Sequence, residues 1–449
     1  GIYLDITQDM RYWLIYIAEA EPRTWTVDDD GPADFHTIQE AINAANPGDT
    51  IYVYNGTYYE NVVVNKTVSL IGEDRYTTII DGSGVGTVVH VTASGVSISN
   101  FTLRKSGDYP NSGIKVDANH CTITNNVITN TTESIWLSSS SSSNSISEND
   151  IRKNHEGIWL DSSSNNNISG NNITNNAYEG FKLYVSSNNS ISGNNITDNA
   201  DGIWLYVSSN NNSISENSIT NNAHGIVLDI SNNNSISEND VTANNGKGIW
   251  LQSSSNNSIS GNTVIANNYE GIYLYSSSNN SISGNEIREN SRGIWGYAYS
   301  NDNSICENII ANNEYGIKLD YSSNNLICHN NFIDNAEHTY SIGWVNVWDY
   351  GYPSGGNYWS DYGGVDSDGD GIGDTPYVID ADNRDRYPLM NPWGTGTPVA
   401  SFGWTPPIPE VGELVTFDAS TSMPIGGEIV SYEWDFGDGN YASGNLVTH

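Results

Sequence analysis

Apolar residues in the middle of the chain recur at a fixed interval that is not helical. A glycine followed by an apolar residue returns at Gly157, Gly180, Gly202, Gly225, Gly248, Gly271, Gly293 and Gly316, each step being 22 or 23 residues. No helix or heptad repeats at this length, whereas one coil of a β-solenoid does. One apolar column runs Ile123, Ile146, Ile168, Ile191, Ile214, Ile236, Ile259, Ile282, Ile305, Ile327. A second runs Ile128, Ile151, Ile173, Ile196, Ile219, Val241, Val264, Ile287, Ile310, Phe332. Both are predicted to stack inward. The elements are therefore short parallel strands, one set per coil, in an all-β single-stranded β-helix.

Between the apolar columns stands an asparagine in every coil from Asn126 to Asn330, and a second follows from Asn154 to Asn335. Parallel strands lie about 4.8 Å apart, so each carboxamide reaches the next rung and forms a ladder. The residue after each Gly-apolar pair is predicted to face outward. It gives the column Trp136, Trp159, Lys182, Trp204, Val227, Trp250, Tyr273, Trp295 and Lys318. An exposed row of flat rings is a surface for sugar faces or for a protein partner. Its structural alternative is cross-rung stacking of the rings, or cover by loops or glycans.

Composition narrows the partners. The formal net charge of −37 argues against nucleic acid, which needs a basic footprint, and favours cations. Asn-x-Ser/Thr acceptors stand at Asn55, Asn65, Asn100, Asn130, Asn167, Asn172, Asn188, Asn195, Asn211, Asn233, Asn256 and Asn279. They point to an extracellular glycoprotein, although a chain this rich in Asn and Ser also generates such triplets by chance. Only three cysteines occur; Cys306 and Cys328 replace the serine of one column and are expected to face each other across a rung as a disulfide.

Residues 25–87 read as an N-terminal cap with one short amphipathic helix and the first coils, and 88–345 as the repetitive β-helix. The apolar run of residues 12–18 is too short to span a bilayer. Residues 1–24 form an extension whose Ile2–Ile6 stretch alternates like a strand.

Two stretches carry a family resemblance: Trp25 to Asp49, with Pro47-Gly-Asp-Thr-Ile, and Trp348 to Tyr362 followed by Asp366-Ser-Asp-Gly-Asp-Gly-Ile-Gly-Asp. With them, residues 25–392 resemble NosD-type and CASH-type proteins of the pectin-lyase-like superfamily. That likeness implies a right-handed parallel β-helix and a cell-surface setting. Residues 399–449, after a linker at 393–398, resemble a PKD domain, an immunoglobulin-like sandwich, through Val415-Thr-Phe-Asp-Ala-Ser and Tyr432-Glu-Trp-Asp-Phe-Gly-Asp-Gly. The match is expected to stop early, with strands wanting after Gly439. An open sheet edge would then be left for the N-terminal extension of another subunit.

Within the C-terminal cap at 346–392, Asp366, Asp368, Asp370 and Asp374 alternate with the turn residues of an oxygen-ligand loop, and the Ile372 carbonyl is a further candidate ligand. The expectation is a structural calcium ion. An EF-hand would place a glutamate where Tyr377 stands, so the pattern departs there.

No catalytic residues are assigned. No carboxylates are seen to cluster, and Arg152, Arg288 and Arg292 are placed at turns. Copper would want thioether and imidazole ligands, against three methionines and eight scattered histidines. The reading is an extracellular structural or adhesive surface protein that self-associates or meets other surface proteins. Carbohydrate binding or carbohydrate action is its alternative, with Trp136, Trp159, Trp204, Trp250, Tyr273 and Trp295 as ligand contacts. No nucleic acid partner and no membrane span are expected.

Overall fold

The computed structural model describes residues 2–5, 14–17, 21–138, 140–342 and 344–394, together with 402–406, 409, 412–420, 422 and 429–449. The chain is all-β: a right-handed parallel β-helix of about fourteen turns followed by a module of small antiparallel sheets. It divides into two compact units, residues 1–177 and 178–449.

In the first unit, Ile2–Asp5 pairs antiparallel with Leu14–Ile17 of the same chain. The extension's strand thus pairs within its own chain. The helix Ile38–Ala44 starts at Thr37, whose side chain accepts the Glu40 N–H at 3.3 Å, and buries Ile38, Ala41 and Ile42. A side-chain oxygen at that position satisfies one of the N–H groups a helix start leaves over. Three parallel sheets follow. The first runs from Thr24–Val27 to Asn167–Ser169, the second from Gly56–Tyr58 to Asn172–Thr174, and the third from Val62–Val64 to Glu156–Asp161.

The second unit repeats the plan. Its first sheet runs from Ser190–Ser192 to Leu326–Cys328, its second from Asn195–Thr197 through Asn331–Ile333 to Tyr358–Trp359, and its third from Phe181–Tyr184 to Glu337–Ile342. Register is in phase: Ile191, Ile214 and Ile236 are paired in line, as are Ile196, Ile219 and Val241, and Phe181, Ile203 and Ile226. All nine are fully buried, so three apolar columns meet inside each coil. A one-residue slip would turn every one of them outward.

The repeat glycines are fixed by crowding. A Cβ on Gly225 would lie 2.4 Å from the Gly248 carbonyl and 2.6 Å from Val241 Cγ1. The residue before each first-ladder asparagine turns the corner with positive φ, as at Gly193 (62°), Glu216 (56°) and Gly261 (64°). That left-handed conformation costs a residue with a Cβ roughly 1–2 kcal/mol, which the ladder bond beside it helps offset.

Both predicted asparagine ladders form. Asn217 donates its backbone N–H (3.1 Å) and Nδ2–H (2.9 Å) to Asn239 Oδ1, and a second Nδ2–H to the Ile191 carbonyl (2.9 Å). A third ladder, unanticipated, runs Asn189, Asn212, Asn234, Asn257, Asn280, Asn303, Asn325 and Asn346 with the same bonding.

The C-terminal cap closes two of the ladders. Asp385, fully buried, accepts from Asn357 N (2.7 Å), Trp359 Nε1 (2.9 Å) and Tyr387 N (3.0 Å), and Asn383 takes the Asn346 N–H at 2.8 Å. Phe332, Trp359 and Tyr377 stack at 4.3 and 4.2 Å over the last coil. In the C-terminal module, Thr416–Asp418 pairs with Gly403–Thr405 and with Leu446–Thr448, and Glu433–Asp435 with Tyr441–Ser443. Two strands therefore lie beyond Gly439, against the expectation that the sandwich stops there.

Candidate functional site

The outer surface of the third sheet collects the side chains with chemistry. In residues 178–342, its aromatic column pairs Trp204 with Val227, Val227 with Trp250, Trp250 with Tyr273, and Tyr273 with Trp295. The rings are less exposed than the sequence predicts. Trp136 and Tyr273 are each 8% exposed, and Trp159, Trp204, Trp250 and Trp295 are half-buried. Stacking along the column covers them: Trp136 lies 4.9 Å from Trp159 at 4°, and Tyr273 lies 4.9 Å from Trp295. Cations complete the cover. Lys115 Nζ sits 4.5 Å from the Trp136 ring, Lys247 Nζ 4.3 Å from Trp250, and the Arg292 guanidinium 4.6 Å from Trp295. Such contacts are worth roughly 0.5–1 kcal/mol each at partly exposed sites. Two residues further along the strands stands a second aromatic line, in which Tyr184 and Tyr275 are exposed and Tyr206 and Tyr297 half-buried.

A third line was missed. The residue before each repeat glycine also faces this surface, giving Glu179, Asp201, His224, Lys247, Glu270 and Arg292 within the second unit. Arg292 opens the strand Arg292–Tyr297 and pairs with Glu270 at 2.6 Å; Arg152 and Arg288 also lie in strands. Titratable groups thus do gather, contrary to the sequence reading. The signal was present, since every repeat glycine from Gly157 to Gly293 is preceded by a titratable residue.

The environment shifts these groups. Burial, with the Glu179 charge second, pushes the Asp201 carboxyl up to about 6. Burial and then the Lys247 charge hold His224 below the usual imidazole range. Its Nδ1 accepts the Lys247 backbone N–H at 3.0 Å, so the neutral ring carries its proton on Nε2. In the first unit the same surface joins His90 to Asp117 at 2.7 Å, with Lys115 at 3.6 Å and Ser138 donating to the other oxygen. Burial raises Asp117, but the bonds from Ser138 and His90 outweigh it and keep the carboxyl below its ordinary value.

The acidic loop is partly assembled. Carboxylate oxygens of Asp366, Asp368 and Asp370 lie within 4.8 Å of one another. Asp374 instead accepts the Ser367 N–H at 3.0 Å, and the Ile372 N–H donates to Asp370 at 2.8 Å. Among the described residues no cationic side chain pairs with Asp366, Asp368 or Asp370, so the set fits a hard divalent ion.

Of the glycosylation acceptors, Asn100 is half-buried and the other eleven are exposed. Asn188, Asn211, Asn233, Asn256 and Asn279 all have φ between 57° and 59°, so the turn itself selects asparagine there. Cys306 and Cys328 are in register with Cα atoms 4.8 Å apart and are joined as a disulfide, while Cys121 is buried and free.

Residues 42–240 and 201–364 match the family described as "Periplasmic copper-binding protein (NosD)". The chain belongs to the NosD family. Residues 395–449 match the PKD domain. No curated protein matches the chain. Among solved structures, the PL6 family alginate lyase AlyGC is similar at 17% identity and TM-score 0.56, over 69% of this chain and 52% of that one. The Dettilon tailspike protein is similar at 16% identity and TM-score 0.53, over 63% of each chain. These likenesses establish the fold. Among the described residues no helix is long and apolar enough to cross a membrane.

Copper, named in the family's description, does not fit the donors in place. Among the described residues, the groups of three metal-ligating side chains are Asp28–Asp30 and Asp366–Asp370, both all-carboxylate. His329 is stacked on Trp393 and His338 is held between Asn335 and Ser360, each without a thioether or thiolate partner among its contacts.

Proposed function

We propose that this NosD-family chain is a periplasmic or extracellular saccharide-binding protein whose binding surface is the outer side of the third sheet. One observation carries the reading: two parallel aromatic lines, Trp204 to Trp295 and Tyr184 to Tyr297, with Lys247, Arg292 and Lys318 set among them, on a chain that is otherwise strongly acidic. Rings in rows stack on pyranose faces, and the polar line beside them supplies hydrogen-bond partners. An adhesive or surface-layer role is served by the same surface. A glycan array probed with the intact protein tests this: signals should vanish in Trp204→Ala and Trp295→Ala, and an array blank for the wild type would end the proposal.

The titratable line favours a second reading, action on the bound saccharide. Asp201, which burial and the Glu179 charge raise to about 6, keeps its proton in mildly acid solution and there has the character of a general acid. Release of reducing ends from a bound polysaccharide, lost in Asp201→Asn with binding retained, is its expected signature.

In the C-terminal cap, we propose calcium at Asp366, Asp368 and Asp370, with the Ile372 carbonyl as a further ligand, in a structural role.

A further inference from the structure

The C-terminal cap closes two asparagine ladders and leaves the other open. Asn330 is followed by Asn357 and Asp385, and Asn346 by Asn383, but the ladder through Asn313 ends at Asn335. Asn335 receives the backbone N–H and Nδ2–H of Asn313 on its Oδ1, at 3.0 and 2.9 Å. It gives its own Nδ2–H groups to the Ile310 carbonyl (2.8 Å) and to His338 Nδ1 (3.3 Å). Its backbone N–H, which a further rung would receive, has no acceptor among the described residues. Asn335 lines a cavity of about 470 Å³ formed by residues 334–339, Ser360, Asp361 and residues 377–379. A space of that order suits a small ligand.

The walls are acidic. Asp334, Glu337 and Asp361 line the cavity and are exposed, and among the described residues no lysine or arginine pairs with them. Two cations stand on adjoining strands, and neither takes up these charges. Lys318, in register with Tyr340, holds Asp320 at 3.3 Å and lies 5.0 Å from the Tyr340 ring; Arg384, opposite Val378, is not among the lining residues. His338 adds no charge in neutral solution. Burial, against the pull of Asp361, Asp334 and Glu337, holds it below the usual imidazole range. Because its Nδ1 accepts from Asn335, the neutral ring carries its proton on Nε2, 3.3 Å from Asp361 Oδ1. The Tyr377 hydroxyl donates to Asp361 Oδ2 at 3.1 Å, and each oxygen of that carboxylate keeps a lone pair.

These carboxylates do not gather as metal ligands do. Among the described residues, three ligand atoms come within 4.8 Å of one another only in the Asp28–Asp30 and Asp366–Asp370 groups. Charges set wider apart reach round an organic cation, and the open N–H asks the same ligand for an acceptor oxygen. We propose that the cavity binds an amino-sugar unit, its ammonium held by Asp334, Glu337 and Asp361 and a neighbouring hydroxyl oxygen received by the Asn335 N–H. The site uses none of the rings from Trp204 to Trp295 and does not depend on the saccharide reading given to them. A neutral sugar brings no counter-charge to these walls, and a uronate meets repulsion.

Titration calorimetry in mildly acid buffer, with calcium present throughout, tests the site with the glucosamine tetramer, its fully N-acetylated form, cellotetraose and spermidine. One glucosamine tetramer is expected per chain, more weakly as salt is added, and neither neutral tetramer is expected to bind. Glu337→Gln and Asp334→Asn, both at exposed positions, should each lower the affinity about fivefold or more at an unchanged melting temperature. Glu216→Gln, which removes the same charge from an exposed corner of another coil, and Trp295→Ala should leave the affinity as it is. Absence of binding by the glucosamine tetramer overturns the proposal, as does equal binding of a neutral tetramer. A loss in Glu216→Gln as large as that in Glu337→Gln overturns it in favour of attraction to the acidic chain at large. Spermidine held as tightly through the same two carboxylates overturns the sugar assignment. Loss of binding in Trp295→Ala alone moves the ligand to the aromatic surface, which ends this proposal and leaves the wider surface reading standing.

Discussion

At the scale of single residues, Asp201 and Asn217 make opposite demands on the fold. Asp201 rises from 3.8 to about 6 because burial disfavours its charge and Glu179 repels it. A carboxyl whose folded pKa lies above its unfolded one binds its proton more tightly in the native state. Its contribution to stability is therefore best below about pH 4 and falls as pH climbs from there to about 6. Each unit is worth about 1.4 kcal/mol, so ionisation costs at most roughly 3 kcal/mol, less whatever water screens. Asp201→Asn is expected to raise the urea midpoint at pH 8 and to leave it nearly unchanged at pH 3.5. Asn217 is buried, and Asn194 donates both its backbone N–H and its Nδ2–H to it. Asn217→Ala strands those donors and is expected to cost about 1–3 kcal/mol, while Ser213→Ala on the exposed face costs close to nothing in the same urea titration.

At the scale of the coil, legibility depended on a fixed offset from an apolar column. The Gly-apolar period, the inward isoleucines and two asparagine ladders could be read because each keeps a constant spacing, as Asn217 does three residues after Ile214 and Asn222 three after Ile219, even where a second asparagine adjoins. The third ladder was hidden in Asn-Asn pairs such as Asn188-Asn189, Asn233-Asn234 and Asn256-Asn257. Composition cannot separate an exposed left-handed turn residue from the buried rung beside it. The aromatic column was placed on the correct side but judged too exposed, since ring stacking between rungs depends on rotamers that the period does not encode. Ladder ends were invisible for a related reason: Asp385 joins its column through a loop, outside the repeat. It is the terminal acceptor for Asn357, and no further rung replaces it. Asp385→Ala is expected to open the cap locally, by on the order of 3 kcal/mol, seen as about hundredfold faster hydrogen exchange at the Asn330 and Asn357 amides while coils near Asn217 keep their protection.

Over the whole molecule, 53 acidic side chains face 16 basic ones, and the ion proposed for the acidic loop has to be distinguished from general screening of that charge. Any salt relieves self-repulsion and raises the melting temperature smoothly with ionic strength. A bound ion acts by mass action instead, adding about 2.7 kcal/mol at one hundred times its dissociation constant, and does so at ionic strengths where screening has barely begun. Millimolar calcium is therefore expected to raise the melting temperature of protein previously treated with chelator, and sodium chloride at matched ionic strength to leave it nearly where it was. The double variant Asp366→Asn with Asp368→Asn should lose the calcium increment yet keep the response to sodium chloride, because it removes two of the three gathered carboxylates and leaves most of the molecule's charge in place. Equal responses to calcium in the variant and the wild type would assign the effect to screening and leave the loop a solvated acidic turn.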